Sequence, residues 1–310
     1  MDKPSISLGI TVYANPDRLA RLLHNLEWSG IPASLKIRVF EDPHDDVSST
    51  RYRELCRQHN VSYYRMPSWG CMHKIGQFAV MNSPEDWFIY MPDDILVTKG
   101  YLQNIIDIIS KYKDSSAGLF QVPYWNAHEY TPGWPGGNYK YLWQCSPESM
   151  LNFLASVPEN DYWSKTKPRP YINVNGVGFV LRRQLWGEVG GFSPETWSLD
   201  EDISVRCWMY SRYNIFTMPG APCIHLFGGT SQDGTQPKHQ FHTMESWIKA
   251  WGADKTGIGS LCYDAQKTLG KFTHDIDTLP MREKAYFFDE ANTDRINAVM
   301  AATKSFRDSR

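Results

Sequence analysis

Residues 87–97 read WFIYMPDDILV, and the reading of this stretch decides the fold. Trp87, Phe88, Ile89, Tyr90 and Met91 form an unbroken aromatic and aliphatic run without helical spacing, the pattern of a parallel strand covered on both faces. Pro92 ends the run, because it has no N–H to give to a sheet ladder. Asp93 and Asp94 then stand at the carboxyl end of a central strand, the edge at which open α/β sheets bind ligands. The same pair suits a turn or a helix cap before Thr98, Lys99 and Gly100, so this stretch alone leaves both readings open.

Working outward, strands and helices alternate. Residues 5–13 (SISLGITVY) read as a strand, followed by a helix that starts at Asn15-Pro16-Asp17 and lines up Leu19, Leu22, Leu23 and Leu26 on one face. Strands are predicted at 35–40, 61–65 and 117–122, with helices at 51–59, 72–81 and 102–112. The βαβ rhythm implies an α/β domain around a mostly parallel central sheet flanked by helices. From 123 to 170 Trp, Tyr, Pro and Gly dominate, which reads as a long loop excursion. Order returns with NVNGVGFVLRRQLWGEVGGF (173–192), a strand and a short helix. A helix, SLDEDISVRCWMY (198–210), and a strand with a glycine-rich exit, NIFTMPGAPCIHLFGG (214–229), come next. The expected organisation is one domain over 1–230 and a C-terminal helical extension, 231–310, packed on it.

The 310 residues carry a formal net charge of −2, which gives no overall electrostatic case for nucleic acid or an acidic membrane. The six cysteines form no CxxC pair. With no apolar run of membrane length and no secretory leader, the expectation is a soluble cytoplasmic protein with reduced thiols. Aromatic residues reach 14%, more than a core alone needs, and point to stacking surfaces.

Acids and one histidine fall at corresponding places in chain order. Glu41-Asp42 ends one strand, Asp93-Asp94 another, Asp200-Glu201-Asp202 opens a helix, and His225 follows a late strand. Each has a plain structural reading as a turn former, helix-dipole charge or core histidine. Their ordered combination is what suggests a shared cleft.

That combination resembles the nucleotide-sugar glycosyltransferases of GT-A fold, family 2 type. The likeness runs over roughly residues 5–230: ITVYANPDRLARLL, RVFEDPHDD, SWGCMHKIGQFAVMN, MPDDI and NGVGFVLRRQLWGEVGGFSPETWSLDEDISVR, the last being the most specific. It implies a Rossmann-like GT-A sheet and transfer of a sugar from a nucleotide-sugar donor, UDP-linked by preference, to a hydroxyl acceptor. It also implies a Mn²⁺ or Mg²⁺ cofactor, since a divalent ion neutralises the departing diphosphate. By position, Asp94 is the metal-binding Asp of an Asp-x-Asp motif whose first Asp is replaced by Pro92, and His225 is the second ligand. Asp93 lies near the ribose, Glu41 and Asp42 recognise the nucleobase, Tyr13 and Asn15 lie beside them, and Arg182 pairs with phosphate or with the acidic helix. In the inverting members a carboxylate activates the acceptor. Asp202 is the first choice for it, with Glu201 or Asp200 in its place if the register shifts.

The acceptor falls to the variable parts, with Trp125, Trp134 and Trp143 as candidate platforms for a carbohydrate or a metabolite. The strip WSKTKPRP, carrying Lys165, Lys167 and Arg169 without a nearby acid in sequence, keeps open a hydroxymethylated base in phage DNA as acceptor. A noncatalytic nucleotide- or glycan-binding module is the alternative of another class. Retention of Asp94, Asp202 and His225 argues against it.

Overall fold

In the computed structural model β4 (Trp87–Pro92) is the strand that its sequence predicts, and alternation of its side chains shows why the run is unbroken. Trp87, Ile89 and Met91 enter one core with Leu8, Ile10, Leu22, Leu26 and Ile105. Phe88 and Tyr90 enter a second core with Phe40, Phe179, Leu185 and Ile203 on the other face. A strand sandwiched in this way has no solvent side on which to place a polar residue. The structure describes residues 3–68, 70–126, 146–156, 167–171, 173–192, 199–220, 222–226, 276–277, 279 and 281.

Before β4 the chain runs β1 (Ile6–Val12), α1 (Pro16–Ser29), β2 (Lys36–Glu41), α2 (Asp46–Gln58), β3 (Ser62–Arg65) and α3 (Cys71–Met81). After it come β5 (Ile95–Val97), α4 (Tyr101–Tyr112), β6 (Ala117–Gln121), β7 (Tyr124–Asn126), α5 (Pro147–Ser156) and β8 (Arg169–Pro170). The later elements are β9 (Phe179–Arg182), α6 (Arg183–Glu188), α7 (Leu199–Tyr210), β10 (Asn214–Thr217) and β11 (Cys223–His225). The main sheet has the order β3-β2-β1-β4-β9-β6-β10-β8. Its first four strands are parallel, β9 lies antiparallel between β4 and β6, and β6 and β10 are again parallel. Gly9 of β1 lets the Phe88 ring lie across the strand: a Cβ there would meet that ring at 2.3 Å.

The antiparallel β9 reverses the expectation for Arg182, its last residue. Arg182 pairs in register with Trp87, the first residue of β4, so it lies roughly 20 Å along the strand from Asp93. There it donates to the carbonyls of Lys113, Ser115 (3.1 Å) and Ala117 (3.3 Å) behind α4, and its guanidinium stacks on Trp87 and Tyr213. Arg183 donates to Val80 O and Ser83 O at the end of α3 (2.8 and 2.6 Å). Both cap helix C-termini, where carbonyls are left over and a cation is favourable. Arg182 is therefore placed away from a donor bound at the other edge, a correction to the expectation above.

The excursion is also more regular than its composition suggests. Its described parts include β7, α5 and β8, and β7 joins a second sheet, β5-β11-β7. Met150 and Leu154 of α5 pack with Leu96, Ile224 and Leu226 beneath that sheet. Of the C-terminal region, Ile276 and Leu279 are buried in the first core, and Ser116 Oγ donates to Leu279 O at 2.7 Å. Apart from 276–277, 279 and 281, the expected C-terminal helical extension lies outside the described residues. No helix among the described residues is long and apolar enough to cross a membrane.

Candidate functional site

At Pro92 the chain leaves the main sheet, turns through Asp93-Asp94 and re-enters as β5 of the small sheet. β11 lies antiparallel on β5 with His225 opposite Ile95, and the Leu226 amide donates to the Asp94 carbonyl at 2.9 Å. This register brings Asp94 Oδ2 to 3.5 Å from His225 Nε2, with the two side chains 18% and 14% exposed. The other oxygen, Asp94 Oδ1, is buried and has no hydrogen-bond partner among the described residues. Burial works to raise the Asp94 carboxyl, but contact with His225, its charge and that of Arg18 outweigh it and hold the group below the ordinary carboxylate value. Asp93, beside it, is also buried.

A third carboxylate approaches from α7. Asp200 Oδ2 accepts from the Gly176 amide at 2.6 Å, and Asp200 keeps part of its surface open. The loop bearing Gly176 is fixed from two sides. Buried Gln121 accepts from the Asn175 amide at 2.5 Å and donates to Gly178 O at 3.2 Å. Ser204 Oγ accepts from the Val174 amide at 2.9 Å and donates to Asp200 O at 2.7 Å. Burial, and then the neighbouring charge of Glu201, push the Asp200 carboxyl up to about 6. Tyr90, whose hydroxyl accepts from Thr11 Oγ1 at 3.2 Å, marks where the acids converge. Its phenol is raised mainly by burial, with the charges of Asp200, Asp94 and Asp93 all adding to the shift.

Around β1 and β2 a second group forms. Asp42 is buried and accepts from the Gly70 amide at 2.9 Å, fastening the start of α3 to the end of β2. Tyr13 is 3.4 Å from His44 Nδ1 through its hydroxyl, with ring centroids 5.2 Å apart. Burial and the charge of Asp42 raise the Tyr13 phenol. Ala14, at φ 57°, takes a left-handed turn that a non-glycine residue adopts at a cost of about 1–2 kcal/mol. The Asn15 amide meanwhile bonds Tyr52 Oη at 2.9 Å.

Asp94, His225, Asp93, Asp42, Tyr13 and Asn15 thus come to the carboxyl edge, as their places in the sequence suggest. Two other residues do not serve as expected. Asp202 is fully buried and turned toward Arg206, whose Nε lies 3.0 Å from Asp202 Oδ2 and whose Nη1 donates to Val189 O. An i, i+4 acid–arginine pair was the sequence signal that one oxygen of this carboxylate, Oδ2, is engaged by its own helix. Glu41 is likewise buried, and its carboxylate accepts from the hydroxyls of Ser49 and Tyr63, tying α2 and β3 to β2. Glu201, partly exposed, neighbours Asp200 on α7. Trp125 stands opposite Ile224 in the small sheet, while Trp134 and Trp143 lie outside the described residues. Sequence reasoning passed over Arg18, Tyr52, Tyr90 and His44. Arg18 had a signal, a cation beside Leu19 on the otherwise apolar stripe of α1, and it is 7% exposed.

The Asp94–His225 pair fits a hard or borderline divalent ion. It offers one carboxylate and one imidazole, a donor set compatible with Mn²⁺, and an orphaned buried oxygen for the ion to engage. No group of three His, Cys, Asp or Glu side chains suited to a metal occurs among the described residues, so most coordination positions would fall to phosphate oxygens and water. Of the WSKTKPRP strip the described residues are 167–170, and there Lys167 Nζ lies 2.6 Å from Asp277 Oδ2.

No protein-family model matches the chain. Over 209 residues, 66% of this chain, it is 24% identical to the cellulose synthase 1 catalytic subunit (UDP-forming) of Komagataeibacter xylinus, and it spans 26% of that protein's length. Among solved structures it is similar to S. aureus TarS 1–349 in complex with UDP-GlcNAc (TM-score 0.54, 12% identity, covering 84% of this chain and 72% of that one). It is also similar to GalNAc-T7 with UDP, GalNAc and Mn²⁺ (0.58, 14%, 99% and 56%). A third is the mannosyltransferase PcManGT of Pyrobaculum calidifontis in complex with GDP-Man and Mn²⁺ (0.50, 14%, 99% and 83%). At such identities these likenesses establish the fold: the chain has the GT-A fold, in line with its resemblance to glycosyltransferases of family 2 type.

Proposed function

We propose that the chain is a metal-dependent, inverting glycosyltransferase that moves a sugar from a nucleotide sugar, UDP-linked in the first instance, to a hydroxyl acceptor. One observation carries the reading: a buried Asp94 oxygen without a partner among the described residues, with His225 beside its twin, at the carboxyl end of β4 in a GT-A fold. Asp94 and His225 would hold the divalent ion, which when bound supplies positive charge against the departing diphosphate. Tyr13, Asp42 and Asn15 form the nucleoside end and Asp93 the ribose side. UDP and Mn²⁺ in the related structures support the choice of donor and ion.

The base assigned is Asp200 rather than Asp202. A general base must face the acceptor and be able to take up a proton near the working pH. Asp200 is partly open, held by the Gly176 amide, and raised to about 6. Asp202 is buried against Arg206. The Lys167–Asp277 pair lends no support to modified DNA as acceptor, and a carbohydrate or metabolite hydroxyl is the class favoured. The test is release of UDP from a panel of UDP-sugars with Mn²⁺. Wild type should turn over at least one, and Asp94→Asn should lose at least about a thousandfold while unfolding at the same temperature. Turnover by Asp94→Asn at the wild-type rate would remove the metal assignment. Nucleotide binding without any turnover would favour the noncatalytic module.

A further inference from the structure

The register between α1 and β5 locates a cation that the foregoing assignment leaves unused. Asn25 of α1 bonds Val97 of β5 twice, Nδ2 donating to Val97 O at 3.0 Å and Oδ1 accepting from Val97 N at 2.7 Å. Four residues later in α1, Ser29 O accepts from the Gly100 amide at 3.0 Å. Two matched points, Asn25 with Val97 and Ser29 with Gly100, show that helix and strand advance side by side in the same direction. Following both backward, Arg18 lies seven residues before Asn25, about 10 Å along a helix. Asp94 lies three residues before Val97, in the turn that enters β5. Arg18, Leu22 and Asn25 share one helix face at the i, i+4, i+7 spacing. Arg18 is therefore brought to the level of the Asp93–Asp94 turn by the same clamp that seats Asn25 on Val97.

Its surroundings fit that position. Arg18 is 7% exposed on the first turn of α1. Its charge opposes the upward shift of the Tyr52 phenol, which burial drives and the charge of Asp93 reinforces. A long cation is expensive to bury unless negative charge surrounds it. In this site two adjacent carboxylates and the doubly charged diphosphate of a nucleotide sugar bring together four negative charges. A divalent ion answers two of them, and a fixed arginine answers a third.

We propose that Arg18 is the built-in cation of the donor site, a positioning residue that steadies Asp94 and gives the cleft its preference for a diphosphate over an uncharged nucleoside. The inference rests on the donor reading above and concerns a different property, discrimination by ligand charge. A guanidinium suits the task because it stays charged and presents several donors in a fixed plane.

The experiment is calorimetric binding of UDP and of uridine, with Mn²⁺ and with EDTA, to wild type, Arg18→Met, Arg18→Gln and Arg18→Lys. Arg18→Met should weaken UDP by roughly tenfold to a hundredfold, the range for losing an interaction with a charged group, and leave uridine within about twofold. The deficit should persist in EDTA, where a role confined to the ion would disappear. Arg18→Gln, which keeps a polar group of shorter reach, should show the same split if the methionine variant does not fold. Arg18→Lys should recover most of the UDP affinity. Unchanged UDP affinity in Arg18→Met or Arg18→Gln, or equal weakening of UDP and uridine, would overturn the assignment. If wild type binds neither ligand, the donor reading fails and this inference falls with it.

Discussion

Where β4 begins, buried charge is fully answered; where β4 ends, it is crowded with its own kind. At the first edge Arg38 and Glu85 form two parallel hydrogen bonds of 2.8 Å, Arg182 fills three carbonyls behind α4, and Arg183 caps α3. At the second, Asp93, Asp94 and Asp200 converge around Tyr90, with a carboxylate oxygen of Asp94 left over and Asp200 raised to about 6. The first arrangement is what a protein does to hold helices on a sheet. The second makes folding harder and makes sense as a receptor for positive charge and a proton. Charge alone therefore does not identify a site. What separates the edges is whether the buried charged groups have their hydrogen-bond partners among the described residues.

Substitutions can break this contrast, beginning with the largest effect. Asp200→Asn should lower kcat by roughly a hundredfold to ten-thousandfold, the range for a general base, while the affinity for UDP stays within about twofold. In wild type the rate should fall as pH drops through about 6, because the base must be unprotonated to accept the acceptor's proton. A pH profile flat from 5 to 8, or transfer surviving in Asp200→Asn, would show the wrong carboxylate named.

Next comes Arg38→Met at the opposite edge. Removing Arg38 leaves buried Glu85 with the exposed Lys36 ammonium, 3.4 Å away, which should cost about 3 kcal/mol in chemical denaturation, the low end for breaking a buried pair. The folded fraction should keep the wild-type kcat. A loss of kcat without loss of stability would mean that the lower edge communicates with the cleft. Asp202→Asn is the finer probe, because it stands two residues from the proposed base. The Asp202–Arg206 pair is within one helix, so a smaller loss of about 1–3 kcal/mol is expected, with transfer retained. Loss of transfer at full stability in this variant would return the base to Asp202.

The same contrast explains how much could be read from the chain. β4 was legible because a strand covered on both faces must be apolar at every position; Asp93-Asp94 alone also suited a turn and became legible only in combination with the other acids and His225. The first four strands and their helices followed from alternation. The direction of β9 was not legible: FVLR reads identically in either sense, and it is this direction that carries Arg182 away from the donor edge. The small sheet was hidden because three-residue strands such as ILV and CIH are too short for periodicity to show. The preference proposed for Asp200 over Asp202 turns on a helix facing, and the Asp202–Arg206 spacing is its signal in the sequence. Arg18 was missed because the Asn25–Val97 clamp, which sets α1 beside the segment that follows Asp93-Asp94, joins residues distant in sequence.

The most direct test of the central claim, that the carboxyl edge of β4 is built to hold a metal diphosphate, is calorimetric titration of wild type and Asp94→Asn with UDP in Mn²⁺ and in EDTA. The account predicts UDP binding in wild type that EDTA weakens severely, and in Asp94→Asn a weak affinity that Mn²⁺ does not improve. UDP binding equal in Mn²⁺ and EDTA, or equal in the two proteins, would contradict it.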